Sequence, residues 1–229
     1  MQRFHATIAL ALLTAAHASH AHAALVRNIS TGYDNFAQAP LPSGSIDTDY
    51  SVRVAGTNDL LTPLALTQAD SRIPNSYVAD ELLPDSLWIA LVDSTGGNQI
   101  PTGNYIYELT IDLTGFIAST AFISNLQVAA DNAVVDISIN GTPVFNQVPE
   151  QTAEEFREVR ELGDSGLGLF QAGTNHITIE TRNTGFGFGN GPSPSALRLS
   201  GIVEATPVPE PTSIAFLAIA GVTLARRRR

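Results

Sequence analysis

The sequence predicts an all-β protein built around a single antiparallel β-sandwich. Apolar and polar residues alternate in short runs, which is the period of a strand with one buried face. The clearest run is 104–113, in which five apolar residues alternate with polar ones. Gly, Pro and Asn separate the runs at short intervals, as turns between antiparallel strands require. Parallel sheets covered by helices would show longer apolar runs instead.

Three further segments show the same alternation. Residues 135–139 precede Asn140-Gly141, a pair that favours the positive φ angles of a tight hairpin turn. The strand after this turn contains Pro143, which restricts it to a sheet edge or a bulge. Segments 176–181 and 196–203 complete the predicted strands.

One charged segment, 152–162, fits two structures. Its acidic residues come first and Arg157 and Arg160 follow, as a helix dipole favours. Alternation through Phe156 and Val159 suits a strand equally well. The sequence leaves both open.

The first 23 residues have the composition of a secretory signal peptide. Arg3 gives a positive start, 6–16 is apolar, and Ala21-His22-Ala23 places small residues where a signal peptidase cuts. We expect export through the Sec machinery and cleavage between Ala23 and Ala24. The apolar stretch is shorter than the roughly 20 residues of a transmembrane helix.

The last 24 residues have three parts. The first is stiff and extended because of its prolines. The second, 214–225, is apolar and predicts a single short transmembrane helix of about 18 Å, against a bilayer core of about 30 Å. The third is basic and favours the cytoplasmic side of the inner membrane. The extended part contains Val208, Pro209, Glu210 and Pro211, and the basic part is Arg226, Arg227, Arg228 and Arg229.

These ends leave 24–205 as one domain, between a signal peptide at 1–23 and a tail at 206–229. The domain has no Cys, so core burial must stabilise it without disulfides. Its 21 acidic residues and 7 Arg give a formal charge of 7 − 21 = −14. This charge repels nucleic acid and anionic lipid headgroups, but it tolerates neutral glycans, cations and basic partners.

The three parts of the tail, in this order and spacing, resemble the PEP-CTERM sorting signal of Gram-negative bacteria that produce exopolysaccharide. The resemblance implies recognition by exosortase, a membrane-embedded cysteine protease, and cleavage near Pro209-Glu210-Pro211. The domain would then reach the cell surface or the extracellular matrix. An ordinary membrane anchor that is never cut is the alternative.

The domain itself resembles the galactose-binding-like jelly roll, which is common in PEP-CTERM proteins. The match covers most of 46–203 and implies association with carbohydrate, including exopolysaccharide. It is carried by a series of short segments in order: Ser86-Leu87-Trp88-Ile89, Gly103-Asn104-Tyr105-Ile106-Tyr107, Asp112-Leu113-Thr114-Gly115-Phe116, Ala130-Asp131-Asn132, Ile139-Asn140-Gly141 and Ala172-Gly173-Thr174-Asn175.

Four aromatic residues are candidate ligand contacts. Trp88 offers a stacking face for a sugar ring, although its apolar neighbours favour core packing. Tyr33, Tyr50 and Tyr77 lie in polar, loop-like stretches, and Asn132 adds a polar candidate.

A structural calcium ion is the one cofactor with candidate ligands. Asp47, Asp49 and Asp131 offer the hard oxygens that Ca²⁺ takes, and related jelly rolls often hold such an ion. Asp is also an ordinary turn residue. Zinc is not expected, because Cys is absent and four of the five His lie in the signal peptide.

Catalysis has little support in the sequence. His176 is the one histidine of the domain, and no Gly-x-Ser-x-Gly motif accompanies it. Sequence alone cannot identify the paired carboxylates of a glycoside hydrolase. We therefore predict a non-catalytic surface or matrix protein that engages exopolysaccharide. The alternatives are a structural or adhesive protein that contacts other proteins and, least favoured, a secreted glycoside hydrolase.

Overall fold

The computed structural model of the chain describes residues 24–58, 60–92, 96–148, 154–185 and 191–209. Four predicted features lie outside these ranges: the signal peptide, Glu210 and Pro211 of the sorting motif, the apolar segment 214–225 and the terminal arginines. Within the described ranges no helix has the length and apolar character needed to cross a bilayer.

The described residues form thirteen β-strands and two short 3₁₀-helices, and every strand pair is antiparallel. The all-β prediction is therefore confirmed. The 3₁₀-helices are Asp80–Leu82 and Glu155–Arg157. The strands are β1 (Ala24–Asn28), β2 (Tyr33–Asp34), β3 (Ala39–Pro40), β4 (Tyr50–Val54), β5 (Leu64–Leu66), β6 (Trp88–Ala90), β7 (Gly103–Asp112), β8 (Phe116–Ala130), β9 (Ala133–Ile139), β10 (Thr142–Asn146), β11 (Arg160–Ser165), β12 (Thr174–Asn183) and β13 (Ala196–Pro207).

The strands form two main sheets and one small ribbon. The first sheet has the order β11-β8-β13-β6-β5, and β1 pairs with the C-terminal half of β13. The second sheet has the order β10-β9-β12-β7-β4, while β2 and β3 form the ribbon. Inward residues of both sheets share one core, as in a β-sandwich. This core contains Val128 and Leu199 from the first sheet and Tyr107 and Ile177 from the second.

The segments predicted from alternation are strands. Residues 104–113 fall on β7, 135–139 on β9, 176–181 on β12 and 196–203 on β13. Their core-facing positions are buried because side chains alternate between the two faces of a strand. The period of the sequence was therefore a reliable guide to these strands.

The predicted hairpin after β9 is confirmed in detail. Asn140 and Gly141 have φ angles of 52° and 77°, the positive values that a tight hairpin turn needs. Pro143 lies on β10, which is the edge strand of the second sheet. The register also shifts between Pro143 and Phe145. Pro143 thus occupies an edge and a bulge together, because its missing N–H cannot join a regular ladder.

The segment 152–162, for which the sequence left helix and strand open, is described from residue 154 and contains a short helix followed by the start of a strand. A single turn of 3₁₀-helix spans Glu155–Arg157, and β11 then begins at Arg160. Phe156 in the helix is buried and packs against the ring of Tyr77, with 5.0 Å between the ring centroids. This contact ties the short helix to the core.

The last strand passes the predicted domain boundary at 205. β13 continues to Pro207, which pairs with Phe116, and the N–H of Val208 donates to the carbonyl of Gly115 at 2.8 Å. At the other end of the domain, Ala24 begins β1 opposite Ala205. The ordered sandwich therefore extends into the first residue of the predicted sorting motif.

Arg198 fastens a long loop to the outer face of the first sheet. Its neighbours on β13, Leu197 and Leu199, face the core, so its own side chain points away from the core. Its side chain is nevertheless fully buried, because 78–87 of the loop between β5 and β6 covers it. The guanidinium donates to the carbonyl of Leu83 at 2.7 Å and to that of Ser86 at 2.5 Å. It also forms an ion pair with Asp80 at 2.8 Å.

A second core cluster lies under the same loop. Trp88 is fully buried there, and its indole N–H donates to the carbonyl of Val78 at 3.2 Å. The ring of Tyr77 packs against Trp88 with 4.6 Å between the centroids. Ile73 and Phe156 belong to the same cluster. The loop is thus a third layer with its own apolar contacts.

Asp131 is a buried carboxyl group at the end of β8. The hydroxyl of Tyr77 donates a hydrogen bond to it. Burial raises the pKa of Asp131 to about 7, the Tyr77 bond opposes the shift, and the charge of Glu154 adds to it. The hydroxyl of Tyr107 is also buried, and within the described ranges it has no hydrogen-bond partner. The charge of Asp131 contributes to the raised pKa of Tyr107, although burial is the main cause.

We expect Arg198→Met to lower the free energy of unfolding by about 3–5 kcal/mol, because it removes a buried charge network and leaves carbonyl groups unpaired. Urea denaturation at neutral pH measures the change. Arg157→Met is the matched control, since Arg157 is exposed and forms an ion pair with Glu154. The control should cost no more than about 1 kcal/mol. Equal losses in the two variants would contradict the role assigned to Arg198.

The pKa of Asp131 predicts how Asp131→Asn changes stability with pH. The folded-state pKa is above the unfolded value, so the carboxyl stabilises the fold below about pH 4, and this contribution is lost as pH rises to about 7. The variant keeps an acceptor for Tyr77 but does not ionise. Relative to the wild type it should gain stability between pH 4.5 and 8, on the order of 3 kcal/mol.

Urea denaturation of both proteins at pH 4.5, 6 and 8 tests this expectation. Asp85→Asn, at an exposed carboxylate, controls for the change in net charge. A difference between Asp131→Asn and the wild type that stays constant across this range would show that Asp131 titrates normally.

Candidate functional site

A groove of about 520 Å³ lies on the outer face of the first sheet, beside β1. Ile202 forms part of its floor and points away from the core, because it alternates with the buried Val203 on β13. Leu25 and Asn28 of β1 continue the floor. The groove has the volume of a typical small-ligand site, so we take it as the candidate functional site.

The ribbon β2–β3 forms one wall of the groove and contributes Tyr33, Asn35 and Gln38. Its entry depends on Gly32, which has a φ of +63°. A Cβ atom at this position would lie 2.7 Å from the Cβ of Leu87, so a larger residue would clash as well as be strained. The N–H of Gly32 also donates to the carboxylate of Asp47 at 2.7 Å.

Side-chain hydrogen bonds fix the rest of the ribbon. Asp34 accepts bonds from the N–H groups of Phe36 and Ala37 at 2.8 and 3.0 Å. The carboxamide of Asn35 accepts from the N–H of Asn28 at 3.1 Å and donates to its carbonyl at 2.9 Å. Asn35 therefore binds both outward backbone groups of Asn28, as a neighbouring strand would.

Several side chains at the groove have no partner within the part of the chain that the structure describes. The hydroxyl of Tyr33, the amide of Gln38 and the carboxylate of Asp85 have no hydrogen-bond partner among the described residues. Tyr33 is half-buried, and Phe36 at the tip of the ribbon is 98% exposed. The groove thus combines aromatic surface with donors and acceptors that are available to a ligand.

The one cation of the groove is already paired. Arg27 forms an ion pair with Asp49 at 2.6 Å and donates to the carbonyl of Thr110 at 3.1 Å. Asp85 adds a negative charge that no described residue neutralises. Burial raises the pKa of Asp47, while hydrogen bonds from the N–H groups of Gly32 and Asp49 oppose that shift. The groove favours neutral or cationic ligands over anions.

Three of the predicted ligand contacts lie in the core, so the prediction that they face a ligand is wrong. Tyr50, Tyr77 and Trp88 are 2%, 4% and 0% exposed. Tyr50 donates its hydroxyl to the carbonyl of Ile29, and it shares the inward face of β4 with Val52. Core packing, the interpretation that the sequence favoured for Trp88, is confirmed by its burial.

Asn132 has a structural role in the turn between β8 and β9. Its carboxamide oxygen accepts from the N–H of Thr184 at 2.7 Å, and its own N–H donates to the carbonyl of Arg182 at 2.7 Å. These bonds join the turn between β8 and β9 to the end of β12. Of the aromatic candidates, Tyr33 alone lines the groove.

The three predicted calcium ligands have separate partners. Asp47 and Asp49 contact the segments around β1 and the ribbon, whereas Asp131 contacts Tyr77. Across the part of the chain that the structure describes, no three His, Cys, Asp or Glu residues are grouped so that they could hold a metal ion.

His176 lies on the solvent-facing side of the second sheet. Its Nδ1 is 2.9 Å from a carboxylate oxygen of Glu108, and its side chain is 51% exposed. Among the described residues its imidazole ring has no other hydrogen-bond partner. The pair lies on an open strand surface, and no described serine or threonine is hydrogen-bonded to the ring.

Comparisons with known proteins give little further information. No family model and no curated protein match this sequence. Among solved structures, the α-L-rhamnosidase from Aspergillus terreus is 11% identical over 80% of this chain, with a TM-score of 0.24. The chain spans 27% of that enzyme. A TM-score this low supports no argument about fold or function.

Proposed function

We propose that the chain is an exported, non-catalytic protein of the cell surface or extracellular matrix of a Gram-negative bacterium. In this proposal the Sec machinery exports it, exosortase cuts its tail, and the freed jelly-roll domain associates with exopolysaccharide. The proposal rests on the succession of three segments in the sequence of the tail. These are a Pro-rich motif from Val208, an apolar stretch at 214–225, and four terminal arginines.

The position of the motif relative to the sandwich supports this proposal. The N–H of Val208 is bonded to Gly115, and Pro209 is exposed directly after it. A protease that recognises an extended segment would therefore find the proposed motif directly after β13. At the other end, Ala24 is the first residue of β1, so cleavage after Ala23 would leave this strand intact.

A role without catalysis fits what the described residues offer. The one histidine of the domain is on an exposed strand surface, and no nucleophile is bonded to it. The groove has aromatic and amide groups that suit binding. We therefore assign association with carbohydrate, and no reaction, to the domain.

A second candidate is adhesion to other proteins. Four exposed apolar residues lie close together in the sequence, and strand pairing brings their segments together in the structure. Exposed apolar patches of this kind occur at protein–protein contacts. The isolated bridges Ile46 to Leu64 and Val52 to Leu61 bring this region together. The exposed residues are Ile46, Val54, Leu60 and Leu61.

The intact mass and terminal peptides of the protein recovered from the envelope and medium of its native host test the sorting proposal. We expect a chain that begins at Ala24 and ends between Pro209 and Thr212. Glu210→Ala should leave the tail in place, while the matched change Glu204→Ala, outside the motif, should be processed normally. Recovery of the wild type with Arg229 still present would contradict exosortase processing.

A further inference from the structure

We propose that the groove beside β1 binds a neutral glycan, with a sugar ring against Tyr33 and hydroxyl groups bonded to Gln38 and Asp85. This inference rests on the proposed association with carbohydrate and assigns it a location. The groove is formed by β1, the ribbon β2–β3, the loop before β6 and the outer side of β13.

The aromatic wall suits the apolar face of a sugar. Tyr33 is half-buried on a ribbon whose backbone is held by Asp34, Asn35 and Asp47. Aromatic rings give a ligand a large contact area together with a polar end. Because the ribbon is already ordered, binding does not have to order it.

The polar groups of the groove that have no partner among the described residues suit the hydroxyl groups of a ligand better than its charged groups. The amide of Gln38 can donate and accept, the carboxylate of Asp85 can only accept, and the hydroxyl of Tyr33 can do both. Sugar hydroxyls match this set, because each of them also donates and accepts. Arg27 is committed to Asp49, so no free cation is available for an acidic polysaccharide. The negative charge of the domain opposes such a ligand further.

An extended peptide is a poorer occupant of the same groove. A peptide that added a strand to the edge of β1 would need the outward N–H and carbonyl of Asn28. Both groups are bonded to the carboxamide of Asn35. The amide therefore blocks strand addition at this position, which leaves the groove to ligands recognised through side chains.

Affinity electrophoresis of the full chain tests the inference. The chain is held in a non-ionic detergent without a sugar headgroup and run through gels that contain galactomannan, dextran or acidic polygalacturonate. At least one neutral polymer should retard it, and polygalacturonate should not. Tyr33→Ala should weaken the retained affinity about tenfold, and Tyr33→Phe, which keeps the ring but loses the hydroxyl, should lose clearly less affinity than Tyr33→Ala does.

Gln38→Gly is a second, independent variant. Gln38 has a φ of 53°, so glycine removes the amide without straining the backbone. We expect a loss of about tenfold, whereas Gln99→Gly, at an exposed glutamine outside the groove, should have no effect. Thermal melting of each variant identifies any loss that comes from unfolding.

The outcomes distinguish a failure of the groove as the binding site from a failure of the proposed association with carbohydrate. If a neutral polymer retards the chain and neither variant weakens this binding, the groove is not the binding site, although the proposed association with carbohydrate still holds. Retention by polygalacturonate equal to that by neutral polymers would overturn the assignment of a neutral ligand. Retention by no polymer would overturn both the groove and glycan association, while the processing of the tail would be unaffected.

Discussion

The outer layer of this protein depends on one buried cation. Arg198 occupies a strand position where a side chain would usually meet solvent, and the loop between β5 and β6 covers it completely. Burying a guanidinium is costly, and its bonds to Asp80, Leu83 and Ser86 offset that cost. The loop held in this way closes the cluster around Trp88. It also places Leu87 against Gly32 and carries Asp85 to the groove.

The groove and the proposed sorting motif both adjoin the same strand, β13. Leu25 and Ile202 form the groove floor on β1 and β13, and β13 continues to Pro207, next to the motif. Under the proposed processing, the end released from the membrane therefore lies on the strand that supports the ligand. The antiparallel pairing of Ala24 with Ala205 also joins the two ends of the domain.

The sequence predicted the parts of the fold that depend on local pattern. Alternation located β7, β9, β12 and β13, and the positive φ of Asn140 and Gly141 was foreseen from residue type. Tyr50 and Tyr77 were misjudged because their polar neighbours suggest a loop, while distant segments bury both rings. Arg198 gives no sign of burial, since a charged residue in an alternating strand normally faces water. The groove was not predicted, because four separate segments build it. Tyr33 in a polar stretch was its one visible signal.

We assign to this sandwich the recognition of a neutral glycan on its outer face, beside β1. Hydrogen–deuterium exchange of the full chain, with and without galactomannan or dextran, tests it most directly, because backbone amides report where the ligand lies. We expect slower exchange in peptides that cover 25–41 and 80–87, with little change in β7 and β12. Slower exchange confined to β7, β12 or the patch around Leu60 and Leu61, or no change at all with either polymer, would contradict it.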